Sequence, residues 1–462
     1  MDGLECSIIY KSILERTLRI DSEFYQKSYL IADQKMRSLN YESLVHYVDV
    51  SDGNHAGISD KFTDEGVPYY RGQDSGTFFI ENSNPICIDQ DSFNMPIMRR
   101  SHLKKKDVLL SIVGTIGAVS LVYSDRDATC SCKLAILRPK NLDDAELLAV
   151  FLNSKYGQLQ IARFTRGAVQ MGLILEDMDQ LIMPDFGDDF KNAIRSLVIK
   201  AFDQASVAND AITKEQGILS DYLKVENIVS ENDPISVRKI SESFYKTNRL
   251  DAEYYQPKYE HITKALHTTE TVQTICNRIY DENYVPQENL EYRYIELANV
   301  GNTGNISGVE VIDGKDLPSR ARRKVSRGQV IISSVEGSLQ SCALITDEYD
   351  GALCSTGFYV LDSDRVNSET LLVLFKSEPI QALMKQRCSG TILTAISKDE
   401  LLNMPLPYID EDVQKAIAAK IQKSFALRRK SKELLEYAKQ AVEMAIEQGE
   451  EVALAWLSDK VG

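Results

Sequence analysis

The sequence predicts an α+β protein that contains one type of domain twice, with two long antiparallel helices forming a coiled-coil spacer between the copies. Three observations predict this fold class. Blocks of sequence recur in the same order in both halves, each half mixes strand-like runs with amphipathic helices, and each half ends in a long helix with a heptad-like pattern. We therefore expect an internal repeat whose halves are related by a pseudo-twofold axis.

The repeat consists of six blocks that recur at an offset of roughly 220–230 residues. RIDSEFYQ at 19–26 recurs as RLDAEYYQ at 249–256, and DVLLSIVGTIGAVSLVY at 107–123 recurs as QVIISSVEGSLQSCALIT at 329–346. The remaining pairs are 146–155 with 369–378, 163–170 with 387–394, Met183 and Pro184 with Met404 and Pro405, and the helix around Ile194 with that around Ile417. Six blocks in register indicate a duplication, and the period is too long for a solenoid.

The repeat also predicts where the domains begin and end. Residues 1–186 and 229–408 form the two mixed domains, because short Val, Ile, Leu and Tyr runs alternate there with Gly, Asp and Asn. Residues 187–228 form the first spacer helix, and residues 409–462 form the second spacer helix with a C-terminal tail. Prolines precede each long helix and acidic residues open it, where the helix dipole favours negative charge.

Each long helix carries a seam of small and apolar residues. On the first helix the seam is Ile194, Val198, Ala201, Ala205, Ala208 and Ile212. On the second it is Val413, Ile417, Ser424, Leu427, Ser431, Leu434, Ala438, Ala441 and Ala445, and the fit is looser because Lys420 falls on the seam beside Ile421. Neither seam has enough large apolar residues for a stable isolated helix, so we expect the two helices to pack against each other.

Composition predicts a soluble cytoplasmic protein. The opening residues carry charges throughout, unlike a signal peptide, and the longest uncharged run, 108–124, is interrupted by Gly114 and Gly117. The eight cysteines form no CxxC pair and the five histidines are scattered, so no metal site is predicted and the thiols are expected to be buried and reduced.

Two basic stretches precede the same predicted strand in the two halves. The first basic segment (98–107) and the second basic segment (320–328) each contain five Lys or Arg residues, namely Arg99, Arg100, Lys104, Lys105 and Lys106, and Arg320, Arg322, Arg323, Lys324 and Arg327. Contact with DNA phosphates is the favoured interpretation, and a solvated loop before a strand is the alternative. The formal net charge of −15 counts against nucleic acid as a partner, although binding depends on local clusters rather than on the sum.

Base recognition needs side chains with paired donors and acceptors. The candidates are Arg71, Gln73 and Asp74 in the first half and Tyr292, Arg293, Glu296 and Asn299 in the second. Two later loops, each with a glycine that permits close backbone approach, add Arg163, Arg166, Gln170, Arg387 and Thr391. The alternative for each is a structural residue, such as an ion-pair partner at a strand end.

The sequence contains no recognised catalytic motif. It lacks a glycine-rich phosphate loop, a dinucleotide fingerprint, HExxH and GxSxG, and it lacks the Asn/Asp-Pro-Pro-Tyr/Phe motif expected of a DNA aminomethyltransferase. We therefore predict a non-catalytic protein and nominate no catalytic residue.

The duplicated blocks resemble those of the specificity subunits of Type I restriction–modification systems. The resemblance is most specific in SGTILTAISKDELLNMPLPY at 389–408, in the helix that follows at 410–439, and in the paired strand-turn segments DVLLSIVGTIGAV and QVIISSVEGSLQS. It implies two target-recognition domains that each bind one half of a split double-stranded DNA target. It further implies two methyltransferase (modification) subunits as partners, a restriction translocase as an optional partner, and adenine methylation with S-adenosylmethionine bound by the partner, so that this chain itself binds no cofactor.

A second hypothesis is a protein–protein scaffold that kept the duplicated architecture without binding DNA. The two basic segments favour the DNA-binding protein, and the net charge of −15 favours the scaffold.

Overall fold

The computed structural model describes residues 6–17, 19–63, 65–83, 85–167, 171–223, 236–276, 278–301, 303–390 and 394–461. Helices and sheets are mixed throughout, which confirms the predicted α+β class. The chain divides into two compact units, of which the first combines residues 1–205 with 428–462 and the second comprises residues 206–427. Across the described residues, no helix has both the length and the apolar composition that a membrane crossing needs.

The first unit is built around two four-stranded sheets. One has the antiparallel order β2-β9-β6-β7, and the other has the order β3-β5-β4-β8, in which β4 and β8 are parallel. A two-stranded sheet pairs β1 with β10. The strands are Tyr41–Ser43 (β1), Val48–Asp52 (β2), Phe62–Thr63 (β3), Val67–Tyr70 (β4), Ile86–Ile88 (β5), Val108–Ser111 (β6), Val119–Leu121 (β7), Thr129–Cys130 (β8), Leu134–Pro139 (β9) and Ile182–Pro184 (β10).

The core of the first unit lies between the β2-β9-β6-β7 sheet and its helices. β6 is buried along its whole length, and α5, buried over most of its surface, lies against β6 and β7. The helices are Lys11–Thr17 (α1), Lys27–Arg37 (α2), Leu44–Tyr47 (α3), Gln90–Phe93 (α4), Ala145–Asn153 (α5), Lys155–Phe164 (α6) and Asp188–Leu223 (α7).

The second unit contains two four-stranded sheets of the orders β11-β18-β15-β16 and β13-β12-β17-β14, with β19 and β20 paired separately. Its strands are Arg278–Tyr280 (β11), Glu291–Ile295 (β12), Glu310–Asp313 (β13), Ala321–Lys324 (β14), Val330–Ser333 (β15), Cys342–Leu344 (β16), Leu353–Ser355 (β17), Phe358–Asp362 (β18), Cys388–Ser389 (β19) and Ala395–Ile396 (β20). Its helices and the C-terminal ones are Phe244–Thr247 (α8), Pro257–Ala265 (α9), Val272–Ile275 (α10), Ser368–Lys376 (α11), Glu378–Arg387 (α12), Lys398–Leu402 (α13), Glu411–Gln448 (α14) and Glu450–Val461 (α15).

The two units share one topology. The order β2-β9-β6-β7 corresponds strand for strand to β11-β18-β15-β16, and the parallel pair of β4 and β8 corresponds to β12 and β17. In both units two consecutive helices, α5 with α6 and α11 with α12, follow the first of these sheets in the chain. This agreement supports the duplication that the sequence blocks indicate.

The long helices pack antiparallel within each unit. In the first unit the start of α7 lies against the end of α14, and the Ser431 hydroxyl donates to the Ala201 carbonyl at 2.7 Å. In the second unit the Ser424 hydroxyl donates to the Ala208 carbonyl at 2.7 Å. The seam residues of α7 from Ile194 to Ala208 are buried as predicted, whereas the side chain of Ile212 lies outside the described residues.

Ile421 occupies the α14 seam and Lys420 is exposed, which corrects the prediction that Lys420 falls on the seam.

The segment predicted as a C-terminal tail is helix α15. It follows Gly449, whose φ of +100° suits a residue without a Cβ. The Glu450 carboxylate accepts from the Gly187 amide just before α7, and Leu457 joins the core of the first unit. Both long helices are divided between the two units. The predicted domain boundaries and the predicted role of the helices as a spacer stay predictions.

Replacing Ala201 by Leu should destabilise the first unit by about 1–3 kcal/mol, because the residue is fully buried at a close helix contact and a larger side chain forces the helices apart. Chemical denaturation measures the free energy of unfolding. Replacement of the neighbouring exposed Lys200 by Ala serves as the control and should change that free energy by less than about 0.5 kcal/mol. Equal effects of the two substitutions would contradict the packing described.

Candidate nucleic-acid interface

Three loops of the first unit meet at one place, which we call the first loop cluster (residues 71–74, 112–117, 165–167 and 171–173). The Thr115 hydroxyl donates to the Gly72 carbonyl at 2.6 Å, which joins the turn after β6 to the loop after β4. Val113 forms a β-bridge with Gly172, and the Leu173 amide donates to the Ile112 carbonyl at 3.0 Å. Two of the candidate loops predicted from separate parts of the sequence are thus brought together. Gln170 lies outside the described residues.

Within this cluster, residues 71–74 form a tight turn that we call the first capped loop. A carboxylate oxygen of Asp74 accepts from the Arg71 backbone amide at 2.7 Å and from the Arg71 Nε at 3.1 Å. Burial raises the pKa of the Asp74 carboxyl, and the hydrogen bonds from Arg71 lower it to a smaller extent. Asp74 therefore holds the loop together instead of facing a ligand, whereas Gln73 is exposed and Arg71 is partly exposed.

The second unit contains the equivalent second loop cluster (residues 296–299, 334–340 and 394–396). The Asn299 side-chain oxygen accepts from the Glu296 backbone amide at 2.7 Å, so residues 296–299 form a second capped loop of the same form as the first. The Ser341 hydroxyl donates to the Leu297 carbonyl at 3.3 Å, and Val335 forms a β-bridge with Ala395. Thr391 lies outside the described residues.

The candidates on β12 and in the second capped loop divide into exposed and structural residues. Glu296 and Arg293 are exposed. Tyr292 is buried, and its hydroxyl accepts from the Gln287 amide at 3.0 Å, so it supports the sheet and is not available for base contact. Asn299 also donates to the Gly308 carbonyl at 2.9 Å, which gives it a structural role like that of Asp74.

The first basic segment lies just before β6, as predicted, but its cations differ in availability. Arg100 forms an ion pair with Asp52, and Lys105 forms one with Asp125 at 3.2 Å, and both remain substantially exposed. Lys106 instead turns inward onto the buried carboxylate of Glu146, so its predicted contact with DNA is corrected to a structural ion pair. The remaining two, Arg99 and Lys104, are exposed.

The second basic segment lies before β15, also as predicted, and part of it is strand β14 rather than a loop. Arg323 donates to the side chain of Asn283 at 3.2 Å, and the Lys324 ammonium group lies 4.9 Å from the centre of the Tyr284 ring. Arg327 is exposed and pairs with Asp347 at 2.8 Å. Arg320 is exposed, and Arg322 is partly exposed and donates to the Ser319 carbonyl.

Arg163 and Arg387 were predicted to contact DNA, and the structure corrects both. Arg163 is 6% exposed, donates to the Phe24 carbonyl at 3.1 Å and pairs with Asp33 at 3.4 Å. Arg387 is 11% exposed and donates to the Leu383 carbonyl at 3.2 Å. Burial lowers the pKa of both guanidinium groups. By contrast, Arg166 is 40% exposed and pairs with Asp177 at 2.9 Å.

Lys133 is a residue at this site that the sequence analysis missed. It is exposed and lies between β8 and β9, where its backbone carbonyl accepts from the Ile112 amide at 2.9 Å. A Cβ atom added at Gly72 would be 3.7 Å from the Lys133 Cβ, so Lys133 lies beside the first capped loop. Extending the repeat alignment from 107–123 to the strand that follows would have placed Lys133 opposite Gly357.

In comparisons with known proteins, this chain is similar to solved structures only. No protein-family model matches the sequence, and no curated protein matches it. The chain is similar to the Type I restriction-modification system S subunit from M. genitalium, at 14% identity and a TM-score of 0.33, over 91% of this chain and 95% of that chain. It is also similar to the HsdS subunit from Thermoanaerobacter tengcongensis, at 14% identity and a TM-score of 0.27, over 89% and 97% of the two chains.

A further similar structure describes complex assembly and conformational transition of the type I R-M system, at 15% identity and a TM-score of 0.30, over 89% of this chain and 98% of that chain. All three belong to the kind of system that the sequence blocks resemble.

Replacing Arg99 and Lys104 together by Gln should weaken binding to double-stranded DNA and reduce its salt dependence, because each lost phosphate contact releases about one counterion fewer. The slope of log K against log salt concentration should become shallower by roughly 1.8. A paired control, Lys200→Gln with Lys460→Gln, removes the same charge from exposed positions on α7 and α15. Equal slopes for the two double variants would exclude the phosphate contact.

Proposed function

We propose that this chain is the DNA-recognition subunit of a Type I restriction–modification complex. Each unit binds one half of a split double-stranded DNA target through its loop cluster and its basic segment. The long helices set the gap between the halves. The observation that carries this proposal is that two equivalent loop clusters keep the same backbone contacts while their exposed side chains differ.

The contacts that both loop clusters share are those that shape the backbone. Asp74 and Asn299 cap the two loops through the same hydrogen bond, at 2.7 Å in each case. The exposed positions differ, since Arg71 corresponds to Glu296 and Gln73 to Ala298. A protein that recognises two different half-sites needs this combination, because a fixed backbone positions the side chains and only their chemistry has to change. Loop divergence after any duplication gives the same pattern, so the proposal also depends on the basic segments.

The basic segments supply affinity without base recognition. Arg99 and Lys104 in the first unit and Arg320 in the second are exposed. These cations belong to the two basic segments, which precede the equivalent strands β6 and β15, so each unit offers phosphates a local positive charge although the whole chain is acidic. The acidic remainder of the surface is then available to protein partners.

In this proposal the chain performs no chemistry and binds no cofactor. Adenine methylation takes place on partner modification subunits, which hold S-adenosylmethionine. Two such subunits fit a chain with two equivalent units, and a restriction translocase is a further partner of the complex. The protein acts in the cytoplasm, where its DNA target lies.

The second candidate is a protein–protein scaffold without DNA binding. The net charge of −15 favours it, because acidic proteins repel DNA over most of their surface. The exposed cations at equivalent places in the two units favour the DNA-recognition subunit. A scaffold does not require their presence.

Mapping methylated adenines across the genome with and without the gene tests the proposal. Deletion should abolish methylation at one split motif, two short half-sites separated by a gap of fixed length, and the wild-type gene should restore it. A gene with Lys200→Gln and Lys460→Gln should restore it equally well. An unchanged methylation map after deletion would refute the proposal.

A further inference from the structure

We propose that the two loop clusters select base edges of opposite hydrogen-bonding character, because the residues at three equivalent positions are cationic or neutral in the first cluster and anionic or neutral in the second. Those positions hold Arg71, Gly114 and Lys133 in the first unit and Glu296, Glu336 and Gly357 in the second. The first unit therefore recognises the acceptor atoms of guanine, and the second recognises an exocyclic amino group. This inference rests on the proposed function and adds the chemistry of each half-site.

Strand register fixes the equivalence of these positions. Tyr70 pairs with Cys130 in the parallel pair of the first unit, and Ile295 pairs with Cys354 in that of the second. Arg71 and Glu296 each follow the first member of such a pair directly. Lys133 and Gly357 each lie three residues after the second member.

The hydrogen bonds at these positions agree with the register. The Lys133 carbonyl accepts from the Ile112 amide and the Gly357 carbonyl accepts from the Ser334 amide, both at 2.9 Å. One residue further on, Val113 and Val335 each form a β-bridge to the third loop of their cluster. Gly114 and Glu336 follow these two valines and therefore occupy equivalent places in the turn.

Within each cluster, Lys133 or Gly357 lies beside the capped loop. In the first unit Gly72 leaves room beside the Lys133 Cβ, 3.7 Å from where a Gly72 Cβ would stand. In the second unit the arrangement is reversed, since Leu297 has the side chain and Gly357 has none. A Cβ at Gly357 would be 3.3 Å from the Leu297 Cδ1. The same small space thus has a side chain on opposite sides in the two units, that of Lys133 in the first and that of Leu297 in the second.

The resulting charges differ in sign. The first cluster has the cations Arg71 and Lys133, of which Arg71 is partly neutralised by the buried carboxylate of Asp74. The second has the exposed carboxylate of Glu296 and the half-buried one of Glu336, and its cap is the neutral Asn299. Arg320 lies near the second cluster, where its carbonyl accepts from the Thr356 amide, and we assign that cation to phosphate contact.

Charge of this kind selects base edges in the major groove. Lys and Arg donate to O6 and N7 of guanine, whereas a carboxylate accepts from an exocyclic amino group such as N4 of cytosine. A carboxylate also repels phosphate, so Glu296 and Glu336 can interact favourably with DNA only at a base edge. We therefore expect Lys133 to require guanine at one position of one half-site, and Glu296 to require an amino-bearing base in the other half-site.

The test is the methylation map of cells whose only copy of the gene encodes Lys133→Met, or Glu296→Gln with Glu336→Gln. Each variant should lower the preference for the correct base at one position of the motif by roughly 5- to 150-fold. The two variants should affect opposite halves of the motif. Lys133→Arg should retain the wild-type motif. Lys200→Met and Glu310→Gln are matched controls at exposed positions outside the clusters and the basic segments, and these should leave the motif unchanged.

Binding of the assembled complex to DNA with 7-deazaguanine, which lacks the N7 acceptor, adds a direct readout. Lys133→Met should relax the base requirement in one half-site. When 7-deazaguanine replaces guanine in that half-site, the wild-type complex should bind more weakly, whereas the Lys133→Met complex should bind about as before. In the other half-site the analogue should have little effect on either complex. If a split motif depends on the gene but the variants lower methylation evenly without relaxing any position, this inference is wrong and the proposed function stands. If no motif depends on the gene, both fail.

Discussion

One short hydrogen bond shapes the loop that follows the central parallel strand in each unit. The backbone amide at the start of this loop has no partner in the sheet and needs an acceptor, which the side chain three residues on supplies, as Asp74 in the first unit and Asn299 in the second. Because an aspartate and an asparagine present the same oxygen, the loop keeps its form while its charge changes. The neighbouring exposed positions can then vary without loss of the fold, and variation on a fixed backbone is the basis of the proposed function.

The fold was largely predictable from the sequence, since its main features are periodic or repeated. The seam from Ile194 to Ala208 and the paired strands at Val108 and Val330 followed from spacing and from the six recurring blocks. Helix α15 was missed because it follows the long helix after a single glycine, and a sequence gives little sign of whether a terminal helix packs back on the core.

The site was predicted less well, for reasons that lie in tertiary structure. Arg163 and Lys106 look like accessible cations in the sequence, but Asp33 and Glu146, both distant in the chain, pair with them in the interior. Lys133 is the opposite case. It is not part of a basic cluster in the sequence, and it belongs to the candidate site because the sheet brings it beside Gly72. Local charge patterns therefore identified two basic segments before matching strands but did not identify the side chains that face outward.

The central claim is that two equivalent units bind two separate halves of one DNA site. Hydroxyl-radical footprinting of the assembled complex on a DNA fragment carrying its methylated motif tests this most directly. We predict two protected half-sites flanking an accessible gap. Neutralising cations of the first basic segment should then weaken protection mainly at one half-site. A single continuous protected stretch, or protection lost equally at both half-sites, would contradict the account.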